Sequence, residues 1–517
     1  MRWFMICAVL LGAVGADGQT HVDLLLRGGQ AIDGTGSSAV RADVGIRGDR
    51  IVFVGDSKGV AAARTIDVTG LVVSPGFIDP HAHVLGDLSS PEHSANECYL
   101  MQGVTTVITG NDGQGPIQIG ETLRKWEAQG IGTNAALYIG QGTVRREVMG
   151  MSDAQPSAEQ LIRMKALVER GVNEGAEGMS TGLYYAPGSY AKTEEVIELA
   201  KVAAKYGGVY DSHLRDEDSY TIGLQGAIKE AIRIAREAKI AVNISHIKAL
   251  GPEVWGQSTQ VIQLIKDARA EGLRVTADQY PYSASGSSLT ASLVPRWAEV
   301  GGNSELLARF ADPSVRPRLV SEMEQNLKRR GGAESLLIIS GRDRPLIGKR
   351  LSEIASARNE SAVEAAIEII KAGGAGVASF NMQDADIENF MKQDFVMTGS
   401  DGSEGHPRKF GTFSRKLHVY VNEKKTISLP FAIHSSSAMA AQTFHLTDRG
   451  VLRAGYYADV IVFNPATVAD LATYEKPDVL ATGMKYVIVN GKIAVEDGKY
   501  NGAHAGRALR PHLTGVP

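Results

Sequence analysis

The sequence predicts an α/β protein, a (β/α)8 TIM-like barrel with a small β-sandwich domain built from both chain ends and an insertion in the last βα unit. Three observations predict it. Through the middle of the chain eight strand-like runs alternate with helical patterns, the signature of βαβ units and a parallel sheet. At both ends, short apolar runs are punctuated by Gly and Asp turn signals, as in small β-domains. The length, 517 residues, exceeds one ordinary domain of roughly 100 to 200 residues and suits a large barrel with attachments.

Taken in order, Met1-Arg2, the apolar run from Trp3 to Val14 and the small residues Val14-Gly15-Ala16 have the layout of a secretory signal over residues 1–16. The run is too short for a membrane span of roughly 20 residues, so an exported protein, periplasmic or secreted, is expected without a membrane span. Of the two cysteines, Cys7 lies in this segment and Cys98 beyond it, which leaves a mature chain with one thiol and no internal disulfide. Residues 23–29 and 43–55 read as short strands with turns, and residues 458–463 and 486–492 match them at the far end. Residues 22–74 plus 446–505 are therefore read as one discontinuous β-sandwich.

The barrel should occupy residues 75–445. Its strands are expected near 76–79, 104–109, 134–139, 177–181, 208–212, 241–245, 274–279 and 395–399, with helical patterns at 158–171, 193–206, 222–238 and 259–270. Residues 283–394 interrupt the last unit and should hold a lid or subdomain. In such a barrel the chemistry sits on the loops at the C-terminal ends of the strands.

Charge narrows the partner. With 54 basic and 58 acidic residues, a net charge of −4 and 6% aromatics, the chain has no basic stripe for nucleic acid or an anionic membrane surface. A small-molecule substrate is the remaining class. At the expected strand ends stand His81-Ala82-His83, His213, His246 and Asp401. Side chains two apart in an extended segment share a face, so both imidazoles of the first pair can point at one metal. Imidazole and carboxylate ligands suit Zn²⁺, and a bound metal lowers the pKa of its water to around 7, which makes hydrolysis the natural reaction.

The motifs then carry a resemblance. Pro75 to His83 (PGFIDPHAH), Gln102 to Val107 (QGVTTV), Ser180 to Gly188 (STGLYYAPG), His213 to Glu217 (HLRDE), Ile244 to Lys248 (ISHIK), Asp278 to Tyr282 (DQYPY), Ser400 to Gly402 (SDG) and His406 to Phe413 (HPRKFGTF) resemble the N-acyl-D-amino-acid deacylases (D-aminoacylases) of the amidohydrolase superfamily across nearly the whole mature chain. The resemblance implies metal ligands at His81, His83, His213 and His246, with Asp401 both a ligand and the general base toward the attacking water. It also implies substrate-holding roles for Tyr185, Lys248, Tyr280 or Tyr282, and Arg408. Physically, Arg408 offers a planar fork to a substrate carboxylate and Lys248 a point charge.

One departure stands out. Where the family has Gly-Asn-Cys-Gly at the end of strand two, with a metal-binding thiolate, this chain reads Gly110-Asn111-Asp112-Gly113. Cys98 lies too early, in the helical stretch 93–101, and reads as a buried helix residue. Asp112 can replace the thiolate as a metal ligand, or it can be a turn residue capping the next helix. One or two Zn²⁺ ions are expected, with the identity open on this account.

Two other readings compete. A cyclic-amide hydrolase of the hydantoinase or dihydroorotase kind would carry a bridging lysine at the end of strand four, and residues 177–181 contain none. A non-catalytic binding relative would have lost the base or several ligands, and all are present. Hydrolysis of dipeptides with a C-terminal D-residue would use the same site, and the side chain of the D-residue has no readable motif in the insertion. His93, His406, His418, His434 and His445 read as structural. For export, mass spectrometry of protein from the native host is expected to find a mature chain starting near Asp17, and an intact Met1 end in the cytosol would overturn it.

Overall fold

The computed structural model describes residues 20–511, so the expected signal, residues 1–16, lies outside the described residues. Eight parallel strands stand at the centre: β1 (Phe77–Asp79), β2 (Val104–Thr109), β3 (Asn134–Leu137, resuming as Ile139–Gly140), β4 (Gly178–Gly182), β5 (Val209–His213), β6 (Ala241–Ile244), β7 (Val275–Gln279) and β8 (Val396–Thr398). β1, β2 and the first half of β3 pair in order, and the second half of β3 pairs with β4, followed by β5 to β8. The two arcs close into a ring. Ala82 and Gly402, just past β1 and β8, form a parallel bridge. The Asp401 N–H donates to the His81 carbonyl at 2.8 Å.

Closure explains the composition of the strands. β2 is buried at all six positions, because helices cover the outside and the opposite strands fill the inside. The outer helices follow the expected patterns, among them Ala158–Asn173, Thr193–Lys205, Gly223–Ala238 and Ser258–Ala270. Ser157 starts the first of these with a reciprocal capping box to Gln160, which satisfies two donors at that end. Inside the barrel the Asn243 amide bridges Asp211 (2.9 Å) and Asp278 (2.7 Å), so the interior polar groups pair with one another below the rim.

Strands from both chain ends hydrogen-bond into one connected nine-stranded sheet, in which Val460–Phe463 lies antiparallel to Val72–Pro75 and brings the C-terminal strands beside the N-terminal ones. This continuous network folds over its own core of Leu24, Val44, Ile46, Val73, Val460 and Ile488. The inserted segment makes a three-stranded antiparallel sheet from Ala284–Ser288, Leu336–Gly341 and Ala375–Phe380. Helices including Arg316–Arg329 and Ala362–Lys371 pack on it around a separate core with Leu289, Phe310, Met323 and Ile367. The insertion closes earlier than residue 394: the helix Asp384–Met391 returns to the barrel, where Asp386 accepts the Gly256 N–H at 2.8 Å. Among the described residues no helix is long and apolar enough to cross a membrane.

A buried polar clasp joins the end sheet to the barrel. Asp459 pairs with Arg449 and accepts from Asn134 at the start of β3 (3.2 Å) and from the Asn490 N–H (2.8 Å). Asn490 in turn donates to the Asn134 side chain at 2.8 Å. Removing one partner of a buried pair costs about 3 to 5 kcal/mol because it strands the other charge. Asp459→Ala should lower stability to chemical denaturation by that amount, and a change below about 1 kcal/mol would show that the clasp contributes little.

Candidate metal centre

The rim at the C-terminal ends of the strands gathers the expected ligands. His81 and His83 follow β1, Asp112 follows β2, His213 ends β5, His246 follows β6 and Asp401 follows β8. Asp112 sits among all four imidazoles. Its Oδ1 lies 3.5 Å from His81 Nε2, 3.5 Å from His213 Nδ1 and 3.6 Å from His246 Nε2, and its Oδ2 lies 3.4 Å from His83 Nε2. Asp401 Oδ1 is 3.0 Å from His83 Nε2 and 3.6 Å from His81 Nε2. Facing ring nitrogens of His213 and His246 approach to 2.8 Å. Only His83 is part-exposed; the other five are buried.

The residues present fit a metal. One atom each from His81, Asp112, His246 and Asp401 falls within 4.8 Å of the others. Among the described residues, Asp112 Oδ1 and both ring nitrogens of His81 are buried with no hydrogen-bond partner. Orphaned buried polar atoms of this kind are costly, a cation would meet the carboxylate oxygen and the lone pair of the imidazole, and mixed imidazole and carboxylate ligands suit Zn²⁺. The charges act in the same direction. Burial raises the Asp112 carboxyl, but the imidazoles of His213 and His81 outweigh it and hold the group well below the usual carboxylate range. Burial lowers His83, yet its hydrogen bonds to Asp112 and Asp401 push it up to about 9.

The backbone at these positions is unusual. Asp112 (φ 57°), His246 (φ 36°) and Asp401 (φ 47°) are left-handed non-glycine residues. Each such conformation costs on the order of 1 to 3 kcal/mol and persists where the surrounding structure over-determines it. For Asp112 it turns the carboxylate inward. The next helix, Ile119–Gln129, begins after Gln118 and has no side-chain cap, so the reading of Asp112 as a helix cap does not hold.

The substrate-side residues divide. Arg408 is buried at the start of helix Arg408–Arg415, with Nη1 2.7 Å from Asp401 Oδ2 and its guanidinium 4.6 Å over the Tyr280 ring. Tyr280 faces the site with its hydroxyl unpartnered among the described residues. Tyr282 does not face the site: its hydroxyl turns toward the Pro407 carbonyl (3.5 Å) and its ring lies under Arg415 (4.9 Å). Of this pair only Tyr280 lines the site. Tyr185 packs on His213 with ring centroids 4.7 Å apart. Lys248 is already engaged, donating to Glu217 Oε1 at 2.6 Å and to the His246 carbonyl at 2.8 Å.

Sequence reasoning missed the residues that hold this set in place. Glu217 Oε1 also lies 3.1 Å from His246 Nδ1, the nitrogen turned away from Asp112, which orients that ring. Its signal was the carboxylate four residues beyond His213. Asp278 accepts the His246 N–H at 2.9 Å, and Asp79 accepts the N–H groups of His81 and Ser400, each at 3.0 Å. Burial pushes Asp278 up to about 8 and Asp79 up to about 7. His406, expected to be structural, positions Arg408: its Nδ1 accepts the Arg408 N–H (3.2 Å), leaving Nε2 to donate to the Ala284 carbonyl (3.1 Å). A cleft of about 690 Å³ opens over the centre, floored by His83, Asp112, Asp401 and Arg408 and walled by the insertion at Ser287, Ser340, Arg342 and Gly374.

A family model described as the amidohydrolase family matches residues 64–324 and 346–495. The D-aminoacylase of Alcaligenes xylosoxydans xylosoxydans is 35% identical over 514 residues, covering 94% of this chain and 97% of its own. A solved D-aminoacylase, studied for the role of its binuclear metal centre, has a TM-score of 0.81 at 34% identity, covering 94% of this chain and 99% of that one. N-acyl-D-glutamate deacylase from Bordetella bronchiseptica, solved with zinc and a phosphonate mimic of the tetrahedral intermediate, has a TM-score of 0.82 at 30% identity, covering 95% and 100%.

The central place of Asp112 yields a direct test. Asp112→Ala should lose most bound metal on purification, whereas Asp112→Cys should retain metal and shift preference from Mn²⁺ toward Zn²⁺, because thiolate favours softer ions. Full metal occupancy in Asp112→Ala, measured by elemental analysis, would refute the ligand assignment.

Proposed function

The chain belongs to the amidohydrolase family, and from that premise we propose a metal-dependent hydrolase that cleaves N-acyl-D-amino acids to a carboxylic acid and a free D-amino acid. The observation that carries this reading is Asp401, which has the imidazole cluster on one oxygen and the Arg408 guanidinium on the other. A base at the metal centre thus stands directly beside a group suited to a free carboxylate.

His81, His83, Asp112, His213, His246 and Asp401 would hold Zn²⁺, one ion or two, which when bound would supply Lewis acidity and lower the pKa of a water. Arg408 takes the substrate carboxylate on its fork, with Tyr280 beneath the guanidinium and Tyr185 lining the same cleft. Burial raises the Asp401 carboxyl, but Arg408 and His246 hold it well below the usual carboxylate range, so it is ionised at neutral pH as a base must be. Asp401 accepts a proton as the water oxygen bonds to the acyl carbon. It then delivers that proton to the nitrogen as the carbon–nitrogen bond breaks, which releases the amine and leaves the acid.

Dipeptides with a C-terminal D-residue are a second reading, favoured by the same carboxylate anchor and by a cleft of about 690 Å³ that can take a larger acyl part. The cyclic-amide reading lacks its lysine: β4 ends in Ser180-Thr181-Gly182. The pattern in residues 1–16 supports an exported enzyme as part of this proposal.

The test is hydrolysis of N-acetyl-D-amino acids against their L-enantiomers by the metal-loaded protein. Asp401→Asn should lower turnover by roughly 10² to 10⁴ while retaining metal, and more than a tenth of wild-type turnover would sink the base assignment. Arg408→Met should cut kcat/KM by roughly 30-fold or more on the free acid and much less on its carboxamide; equal losses would make Arg408 structural.

A further inference from the structure

The end sheet sends an arm to the segment that carries Arg408. Between its strands Val460–Phe463 and Met484–Val489 the chain leaves the sheet, and an antiparallel bridge from Ala469 to Thr482 closes the base of the excursion. Gly483, at φ 100°, permits that closure, since a Cβ there would fall 2.3 Å from Val468 Cα. Residues 470–481 form the arm, and two of its side chains meet the barrel. Asp470, its side chain 5% exposed, accepts from Arg415 Nη1 (3.0 Å) and faces His418 Nδ1 (3.0 Å), which ties down the far end of helix Arg408–Arg415. Tyr474 reaches the near end. Its ring meets His406 edge-on, with centroids 5.1 Å apart at 75°, and packs on Phe380 of the inserted sheet at 4.7 Å.

His406 is where this contact gains a consequence. Its imidazole is fully buried, and burial together with the neighbouring Arg408 charge holds it well below the ordinary imidazole range, so at neutral pH one nitrogen accepts while the other donates. Nδ1 accepts the Arg408 N–H and Nε2 donates to the Ala284 carbonyl. Tyr282 meets the same ring at 5.7 Å and 85°, so the two tyrosines fix its tilt, and the tilt fixes the backbone from which Arg408 projects. The guanidinium has little slack, with Asp401 Oδ2 at 2.7 Å and the Tyr280 ring 4.6 Å beneath it. A displacement of about 1 Å in a group that positions substrate can cost on the order of 10²-fold in rate.

We propose that Tyr474 is a positioning residue for the substrate carboxylate, acting through His406 on Arg408, and that the end domain thereby sets the aim of the anchor. Asp470 acts on the other end of the same helix. This rests on the deacylase reading and deepens it. Tyr474 does not line the cleft, so its effect reaches substrate only by way of Arg408.

The test measures kcat and KM of the metal-loaded protein on an N-acetyl-D-amino acid and on its carboxamide. Tyr474→Leu, which keeps apolar bulk and loses the ring, should lower kcat/KM on the free acid by roughly 10-fold or more, chiefly through KM, and on the carboxamide by less than about threefold. Tyr474→Phe should restore wild-type values on both, because the ring meets His406 and the hydroxyl has no hydrogen-bond partner among the described residues. In an Arg408→Met background Tyr474→Leu should add little, since the group it aims is gone, and the double-mutant cycle reads that coupling. Asp470→Asn should shift the acid-to-carboxamide ratio in the same direction by roughly threefold or more, which reads the arm even if Tyr474→Leu fails to fold. No loss on the acid, equal losses on acid and carboxamide, or an undiminished loss on top of Arg408→Met would make Tyr474 merely structural and overturn the proposal while the deacylase reading stands. Failure of the wild type to hydrolyse any N-acyl-D-amino acid overturns the deacylase reading, and this inference with it.

Discussion

The site is built around one electrostatic constraint: two carboxylates, Asp112 and Asp401, must remain ionised in a buried space only a few ångströms across. Four imidazoles alone do not satisfy them, since Asp112 Oδ1 stays unpartnered among the described residues. A cation held by this set would resolve the repulsion and the orphaned acceptor together. The position at the end of β2 shows why a thiolate and a carboxylate can exchange there. Either is an anion placed between two histidine pairs, and the carboxylate adds a second oxygen that reaches His83 at 3.4 Å.

The rest of the barrel rim serves that arrangement. Asp79 ties the ends of β1 and β8 by accepting from both His81 and Ser400, and Asp278 holds the left-handed turn at His246. Both are deep carboxyls that burial pushes toward neutrality, so they orient ligands without adding full negative charge beneath the centre. Glu217 differs because Lys248 is on it at 2.6 Å, and that ion pair keeps a true carboxylate against His246. Lys248 thus reads as part of the support for a ligand, a role its position two residues past His246 does not distinguish from substrate binding.

The barrel was legible because its signals are local. Apolar runs ending in His or Asp place both strand and ligand, and β2 falls at residues 104–109 as expected. What depends on distant neighbours was not legible. Tyr280 and Tyr282 are equivalent in the sequence, and only the packing of helix Arg408–Arg415 decides which ring faces the site. The end strands were legible as one β-domain, but their exact pairing, Val460–Phe463 beside Val72–Pro75, depends on hydrogen bonds between segments hundreds of residues apart. Lys328-Arg329-Arg330 reads as the solvated, basic end of a helix, and tertiary packing turns its third member inward.

The barrel and the insertion contribute differently to the site. Arg408 comes from the barrel, is held by His406, and shares its charge with Asp401. A carboxylate it binds is therefore placed within one guanidinium width of the base, so any change there disturbs the chemistry. The insertion has its own core, walls the cleft, and among the described residues contributes none of the side chains of the metal cluster. Those walls can change while the strand ends, the strained turns and the ring closure stay as they are. The separation also accounts for the weak sequence signal of the insertion: its residues need only wall the cleft, whereas those at the strand ends must meet a fixed coordination geometry.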